Sequence, residues 1–278
     1  FILFFCVSCA PVVPLVKYKF VESTAMLEIT SAGDDLSNSC TVARSSCTAV
    51  AFAKNGKKYQ FFTAAHCVSK YNAEISRTVL KESLLQLTLK RPNGDKQIYK
   101  AKGLITGEMK DFEDFAILEA EIDEDIPIMP LANSGPDLNE DILVVTDPSN
   151  IDLGPLQFRG YVSIDKISDL IIKIDGVNVK VKDVLDVQAK GAFGIQVIGL
   201  GKGFGSSGGG VCSVKRNAII GIVSATDYNK YGNVTLIIVP ITKFNNFLKE
   251  YLEGKRSLVK PESVKSKKEE PNQCIQSK

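Results

Sequence analysis

The feature that most constrains this chain is its punctuation. About a dozen short apolar runs follow one another, each ended by a turn signal, and no long helical periodicity interrupts them. "CTAVAFAKNGKKYQFFTAAHC" holds two such runs around Asn55-Gly56, a strong hairpin signal. "LLQLTLKRPNGDKQIYKAKGLI" repeats the arrangement, with Pro92-Asn93-Gly94-Asp95 at the bend, and "DFAILEAEI" is a further strand. After "PLANSGPDLNED" the pattern restarts with "DILVVTD", "FRGYVSI", "LIIKIDGVNVKV", "GIQVIGL", "GVCSV", "NAIIGIVSA" and "VTLIIVPI". Strands at this spacing imply barrels or a sandwich, not βαβ units. One helix is expected near the end. In "ITKFNNFLKEYLEG", Phe244, Phe247, Leu248 and Tyr251 fall at helical spacing and Gly254 stops it.

This pattern divides the chain into four parts. Residues 1–20 are an apolar segment, 21–135 and 136–253 are two halves joined near "LANSGPDLNE", and 254–278 is a polar tail. Residues 1–16 contain no charge but two prolines, and are short for a membrane span. They match the apolar stretch of a secretory signal followed by small residues, or a membrane-proximal piece of a larger precursor such as a viral polyprotein. From Gly254 onward, seven Lys/Arg against three Glu give the tail +4, while the whole chain carries only +2. The tail reads as a solvated, disordered end. A net charge this small gives no argument for nucleic acid as a partner.

Seven cysteines occur, at 6, 9, 40, 47, 67, 212 and 274. With no repeated Cys-x-x-Cys pair and one histidine in the chain, a zinc cage is not expected. Disulfides or buried thiols remain, and an odd count leaves one thiol unpaired in a monomer.

The chemistry concentrates at three places. "GFGSSGGGVCS" at 203–213 admits a phosphate loop, but a strand-like run follows where a Walker loop needs Lys-Ser/Thr and a helix. The alternative is a nucleophile loop, with Ser207 attacking and the backbone N–H groups of Gly205 and Ser207 forming an oxyanion hole. A serine hydroxyl needs a base within reach, and His66 is the only imidazole present. The base needs an orienting carboxylate. Asp114 opens the apolar run Phe115-Ala116-Ile117-Leu118, whereas Asp111 and Glu113 read as solvated.

Together "TAAHC", "DFAIL" and "GSSGG", in the order His, Asp, Ser, resemble the trypsin/chymotrypsin-like serine proteases. The likeness runs from about Ala49 to about Leu248 and looks closest to HtrA-like and other trypsin-like peptidase domains, with no peptide-binding domain after Gly254. It implies an all-β fold of two six-stranded antiparallel β-barrels with a C-terminal helix and the site between them. It also implies a serine endopeptidase acting through an acyl-enzyme on a polypeptide substrate, with His66 as base, Asp114 as orienter and Ser207 as nucleophile, and with no metal or cofactor. The same chemistry in a viral precursor, and a catalytically silent binding module, are the alternatives.

The likeness carries further expectations. Ser206 stands where relatives activated by N-terminal cleavage carry Asp, so activity without a freed N-terminus is expected. Gly201 would floor the side-chain pocket, with Ser224, Ala225 and Thr226 as its wall, which favours a small or medium apolar side chain. Asp227 keeps a basic preference open. "VNVKVKDVLDVQAKG" is read as an ordinary hairpin. A Cys47–Cys67 disulfide is implied, with Cys212 as a buried thiol. The expected location is secreted or extracytoplasmic.

Overall fold

The computed structural model describes residues 19–32, 42–72, 77–81, 83–90, 94–147, 155–162, 171–174, 177–180, 193–197, 206–228 and 234–256. The first half is a closed antiparallel barrel. Its strands are β1 (Thr24–Ala32), β2 (Val42–Asn55), β3 (Lys58–Thr63), β6 (Ser83–Lys90), β7 (Lys96–Thr106) and β8 (Ala116–Glu121), paired in the order β1-β2-β3-β8-β7-β6. A small hairpin of β4 (Ser69–Asn72) and β5 (Arg77–Leu80) projects from it.

The predicted hairpin at Asn55-Gly56 forms. Asn55 pairs with Lys58, and Gly56 takes a φ of 60°, the left-handed conformation that costs glycine least. The expected strands around residues 84–104 and at "DFAILEAEI" are β6, β7 and β8. The sequence reading did not identify β1, "TAMLEITSA". Its buried Ala25, Leu27 and Ile29 alternate with Met26, Glu28 and Thr30, but no turn signal precedes it: the chain enters it from a short turn in which the Ser23 and Thr24 hydroxyls donate to the carbonyl of Phe20. Without β1 the barrel would not close, since it pairs with both β2 and β6.

The second half is another antiparallel sheet of six strands: β9 (Asp141–Thr146), β10 (Leu156–Val162), β13 (Phe193–Val197), β14 (Gly210–Ser213), β15 (Ala218–Tyr228) and β16 (Val234–Pro240). Pairing runs β9-β10-β13-β16-β15-β14, and β14 pairs in turn with β9. The short strands β11 (Ile171–Ile174) and β12 (Val177–Lys180) form the hairpin expected within "LIIKIDGVNVKV".

The expected terminal helix spans Ile241–Leu252, and Gly254 follows it at a φ of 70°. Its apolar stripe buries Phe244 and Phe247. Phe244 stands edge-on to Phe52 and Phe115, each at 5.3 Å between ring centroids, and to Phe62 at 5.8 Å. All three partners belong to the first half. The core around Phe244 is therefore common to both sheets, whereas a second core, around Leu27, Phe61, Leu87 and Leu118, fills the barrel.

Phe20, at the end of the segment read as a signal, is fully buried in the shared core, where its ring lies under Gly210. Residues 1–18 and the tail beyond Arg256 lie outside the described residues, and with them Cys6, Cys9, Cys40 and Cys274. Among the described residues no helix is long and apolar enough to cross a membrane.

Candidate functional site

His66 sits on a short helix, Ala65–Val68, directly after β3. Ala64 and Ala65 are fully buried, so only small side chains let this turn lie against the barrel wall. Two covalent and polar ties fix it. Cys67 is joined by a disulfide to Cys47 of β2, as the resemblance implied, and the Ser69 hydroxyl donates to the Ala65 carbonyl at 2.6 Å.

Asp114 reaches the histidine from the turn before β8. Its Oδ2 lies 2.8 Å from His66 Nδ1, and its Oδ1 accepts the His66 backbone N–H at 2.9 Å. The Ser224 hydroxyl donates to the same Oδ2 at 2.5 Å. Three hydrogen bonds thus meet one carboxylate whose side chain is only 2% exposed, while the imidazole remains 41% exposed. An ionised carboxylate at Nδ1 accepts a hydrogen bond from the N–H of that nitrogen, which keeps the proton on Nδ1 and leaves Nε2 with its lone pair on the open side of the ring.

The two pKa shifts follow from this geometry. For His66, burial is the largest effect and disfavours the imidazolium. The Asp114 charge and hydrogen bond together outweigh it, Lys81 opposes them weakly, and the net pKa is raised. For Asp114, burial is again the largest single effect and favours the neutral acid. The His66 charge, the two side-chain hydrogen bonds and the His66 backbone N–H overcome it, and its pKa is lowered.

Ser207 lies on the turn that leads into β14. Its carbonyl accepts the Thr48 N–H from β2 at 2.8 Å. The next residue, Gly208, has a φ of +83° and donates its N–H to the Val223 carbonyl at 2.8 Å. A Cβ at Gly208 would strike the Thr48 carbonyl and the Thr63 hydroxyl and would stand 2.8 Å from the backbone nitrogen of Ala64. Glycine there lets the serine turn of the second sheet seat against the strand end that carries His66, two residues beyond Ala64. The structure thus pairs His66 with Asp114 and seats the backbone of the Ser207–Gly208 turn against Thr48 and Ala64, near the short helix that carries His66.

The other predicted positions divide. Gly201 and Gly205 lie outside the described residues. Ser224, read from sequence as pocket wall, instead turns its hydroxyl onto Asp114. The cause is a bulge in β15: Val223 pairs with Ile238 and Ala225 with Ile237, so Ser224 is the extra residue and its side chain is re-aimed. Ala225 is half-buried, and the backbone of Thr226 pairs with Leu236. Ser206 is buried, and its hydroxyl has no partner among the described residues. Cys212 is a fully buried free thiol, and burial pushes its pKa up to about 12, so it is no nucleophile. Glu113, expected to be solvated, is instead paired bidentately with Arg256, whereas Asp111 is exposed as expected.

Sequence reasoning placed Ser224 in the site but not its bond to Asp114, and missed Thr48. A bulge leaves no mark in periodicity, and a backbone donor such as Thr48 has no residue-type signature. The ligand atoms of Cys47, His66 and Cys67 lie within 4.8 Å of one another, but the disulfide occupies both sulfurs and leaves only the imidazole for a cation. The chain matches no protein-family model and no curated protein sequence.

Proposed function

We propose that this protein is a serine endopeptidase of the trypsin/chymotrypsin-like kind, its two six-stranded sheets forming the paired barrels of that fold. One observation carries the reading: the only imidazole in the chain is held at Nδ1 by a buried carboxylate, beside a glycine-seated serine turn.

The chemistry balances with these residues alone. Ser207 Oγ attacks the substrate carbonyl carbon while His66 Nε2 takes the hydroxyl proton. Charge collects on the former carbonyl oxygen, which the N–H groups of Gly205 and Ser207 receive. His66 returns the proton to the leaving amine, the C–N bond breaks, and an acyl-serine remains. Water, deprotonated by His66, then releases the acid and restores Ser207. Asp114 does not accept the proton; it fixes the tautomer and stabilises the imidazolium.

A polypeptide substrate suits the surroundings. Among the described residues, Ser224–Tyr228 of β15 pair only with β16, which leaves their outer edge beside the site for an extended chain. The Cys47–Cys67 disulfide supports an oxidising, extracytoplasmic compartment.

The test is covalent. A fluorophosphonate probe is expected to modify Ser207 in the folded protein, and Ser207→Ala or His66→Ala is expected to abolish labelling. Folded wild-type protein that takes no label would leave a silent binding module as the better reading.

A further inference from the structure

The turn that carries Asp114 is held from outside its own barrel. Arg256, just beyond the terminal helix, donates from Nη1 to Glu113 Oε2 at 2.6 Å and from Nη2 to Glu113 Oε1 at 2.9 Å. Its Nε meets Glu250 Oε2 at 2.5 Å, and its guanidinium lies 4.8 Å over the Phe247 ring. Phe247 in turn packs on Phe115 with centroids 4.9 Å apart. The residues on both sides of Asp114 are therefore gripped by one helix and the residue just beyond it. Lys243, on the same helix, donates to the Asp111 carbonyl at 3.0 Å.

The turn needs such a grip. Phe112 sits at a φ of 56°, a left-handed conformation that a bulky residue keeps only where its surroundings over-determine it. Within the turn, Glu108 N donates to Glu113 Oε2 at 3.1 Å and Glu113 N to the Glu108 carbonyl at 3.1 Å, so a movement of Glu113 carries the whole loop. Glu108 itself is tied to Arg77 and to the backbone of Thr78.

We propose that Arg256 is a positioning residue for the His66–Asp114 pair: through Glu113 it holds the Asp114 turn at the depth where the carboxylate meets the imidazole. The claim rests on the reading of His66 as the catalytic base. A planar, two-pronged guanidinium suits the role because it fixes both oxygens of Glu113 and stacks on Phe247, which an ammonium cannot reproduce.

Because the chain has one histidine, its proton-NMR titration reports this site without assignment. The charged groups facing that imidazole are Asp114 and Lys81. In Arg256→Gln and Glu113→Gln, both still folded by urea titration, the His66 pKa is expected to fall toward its ordinary value of about 6.5. On a peptide substrate, kcat is expected to drop about 10- to 100-fold with KM nearly unchanged, the size expected of a small misplacement. Arg256→Lys is expected to recover part of both. Should the glutamine variants lose stability yet keep the wild-type histidine titration and kcat, Arg256 is merely structural and the proposal fails. If Arg256→Gln does not fold, Glu113→Gln and Arg256→Lys decide by the same readouts. A wild-type protein that cleaves and labels nothing would refute the protease reading, while the histidine titration would still decide the clamp.

Discussion

Thr48 donates its backbone N–H to the carbonyl of Ser207 at 2.8 Å, and so a strand of the first barrel carries the serine turn of the second sheet. Thr48 is tied at every polar atom: its carbonyl accepts from Thr63 Oγ1 at 2.7 Å and its hydroxyl accepts from Asp147 N at 2.9 Å. The serine turn is thus tied to the strand end before His66 by one backbone bond to Thr48 and by the short, buried Thr63 hydroxyl.

Gly208→Ala tests that seat. The added methyl meets Thr48, Thr63 and Ala64 backbone and side-chain atoms, at a φ of +83° that alanine disfavours. We expect a loss of roughly 1–3 kcal/mol in urea unfolding, with fluorophosphonate labelling of Ser207 falling further than that loss alone explains.

Asp114→Asn should leave the fold intact and lower kcat by about four orders of magnitude, because an amide can present the wrong group to Nδ1 and stabilise the wrong tautomer. Ser224→Ala removes one of three hydrogen bonds to the carboxylate, a loss of about 1.5–3 kcal/mol for a bond to a charged acceptor. Its kcat should fall far less than that of Asp114→Asn. Peptide hydrolysis with both variants in parallel checks the order.

The pH profile follows from the sign of the His66 shift. The base must be neutral, so kcat/KM should rise with pH through a pKa above about 6.5. Asp114→Asn should move that limb to lower pH, since burial then acts on the imidazole without the carboxylate. Lys81→Met should move it upward, since Lys81 opposes protonation. For stability, the depressed Asp114 contributes above its unfolded pKa of about 3.9 and the contribution is lost as pH falls through its folded value. The raised His66 contributes below about 6.5 and the contribution is lost as pH rises through its folded value.

A buried ion pair bridges the two halves a short way from the site. Lys90 Nζ meets Asp147 Oδ1 at 2.9 Å, with side chains 8% and 0% exposed. Burial, the largest effect, raises the Asp147 pKa against the opposing pull of Lys90 and Lys96. Lys90→Met would strand the carboxylate and should cost about 3–5 kcal/mol near neutral pH. A folded pKa above the unfolded one means the native state binds the proton more tightly, so this variant should regain stability as pH falls toward 5. Chemical denaturation at several pH values reads both effects.

Removing the disulfide by Cys47→Ala with Cys67→Ala should cost roughly 3 kcal/mol, as expected for a loop of its length, the two cysteines being 20 positions apart. Because Cys67 adjoins His66, labelling of Ser207 should slow as well, and reduction of the wild type should reproduce both changes.

Much of this was legible in the sequence. The alternating runs identified β2, β3, β6 to β16 and the terminal helix, because a half-buried strand and an amphipathic helix each impose a period on the residues that form them. The pairing of His66 with Asp114 was legible because one histidine leaves no choice and Asp114 adjoins an apolar run. β1 escaped because no turn signal precedes it, and β4 and β5 because SKYN and RTVL hold no apolar run. Glu113 was misjudged for a different reason: its partner Arg256 is 143 positions away, and local pattern carries no trace of such a contact.

Phe244 and its helix follow every strand in the order of synthesis. While a ribosome is still extending the chain, the barrel can close, yet Phe52, Phe62 and Phe115 lack the ring they pack against, and the Asp114 turn lacks its support. On the proposed function the nascent polypeptide is therefore inert toward its neighbours until this helix docks. Docking of this one helix acts as the safety catch.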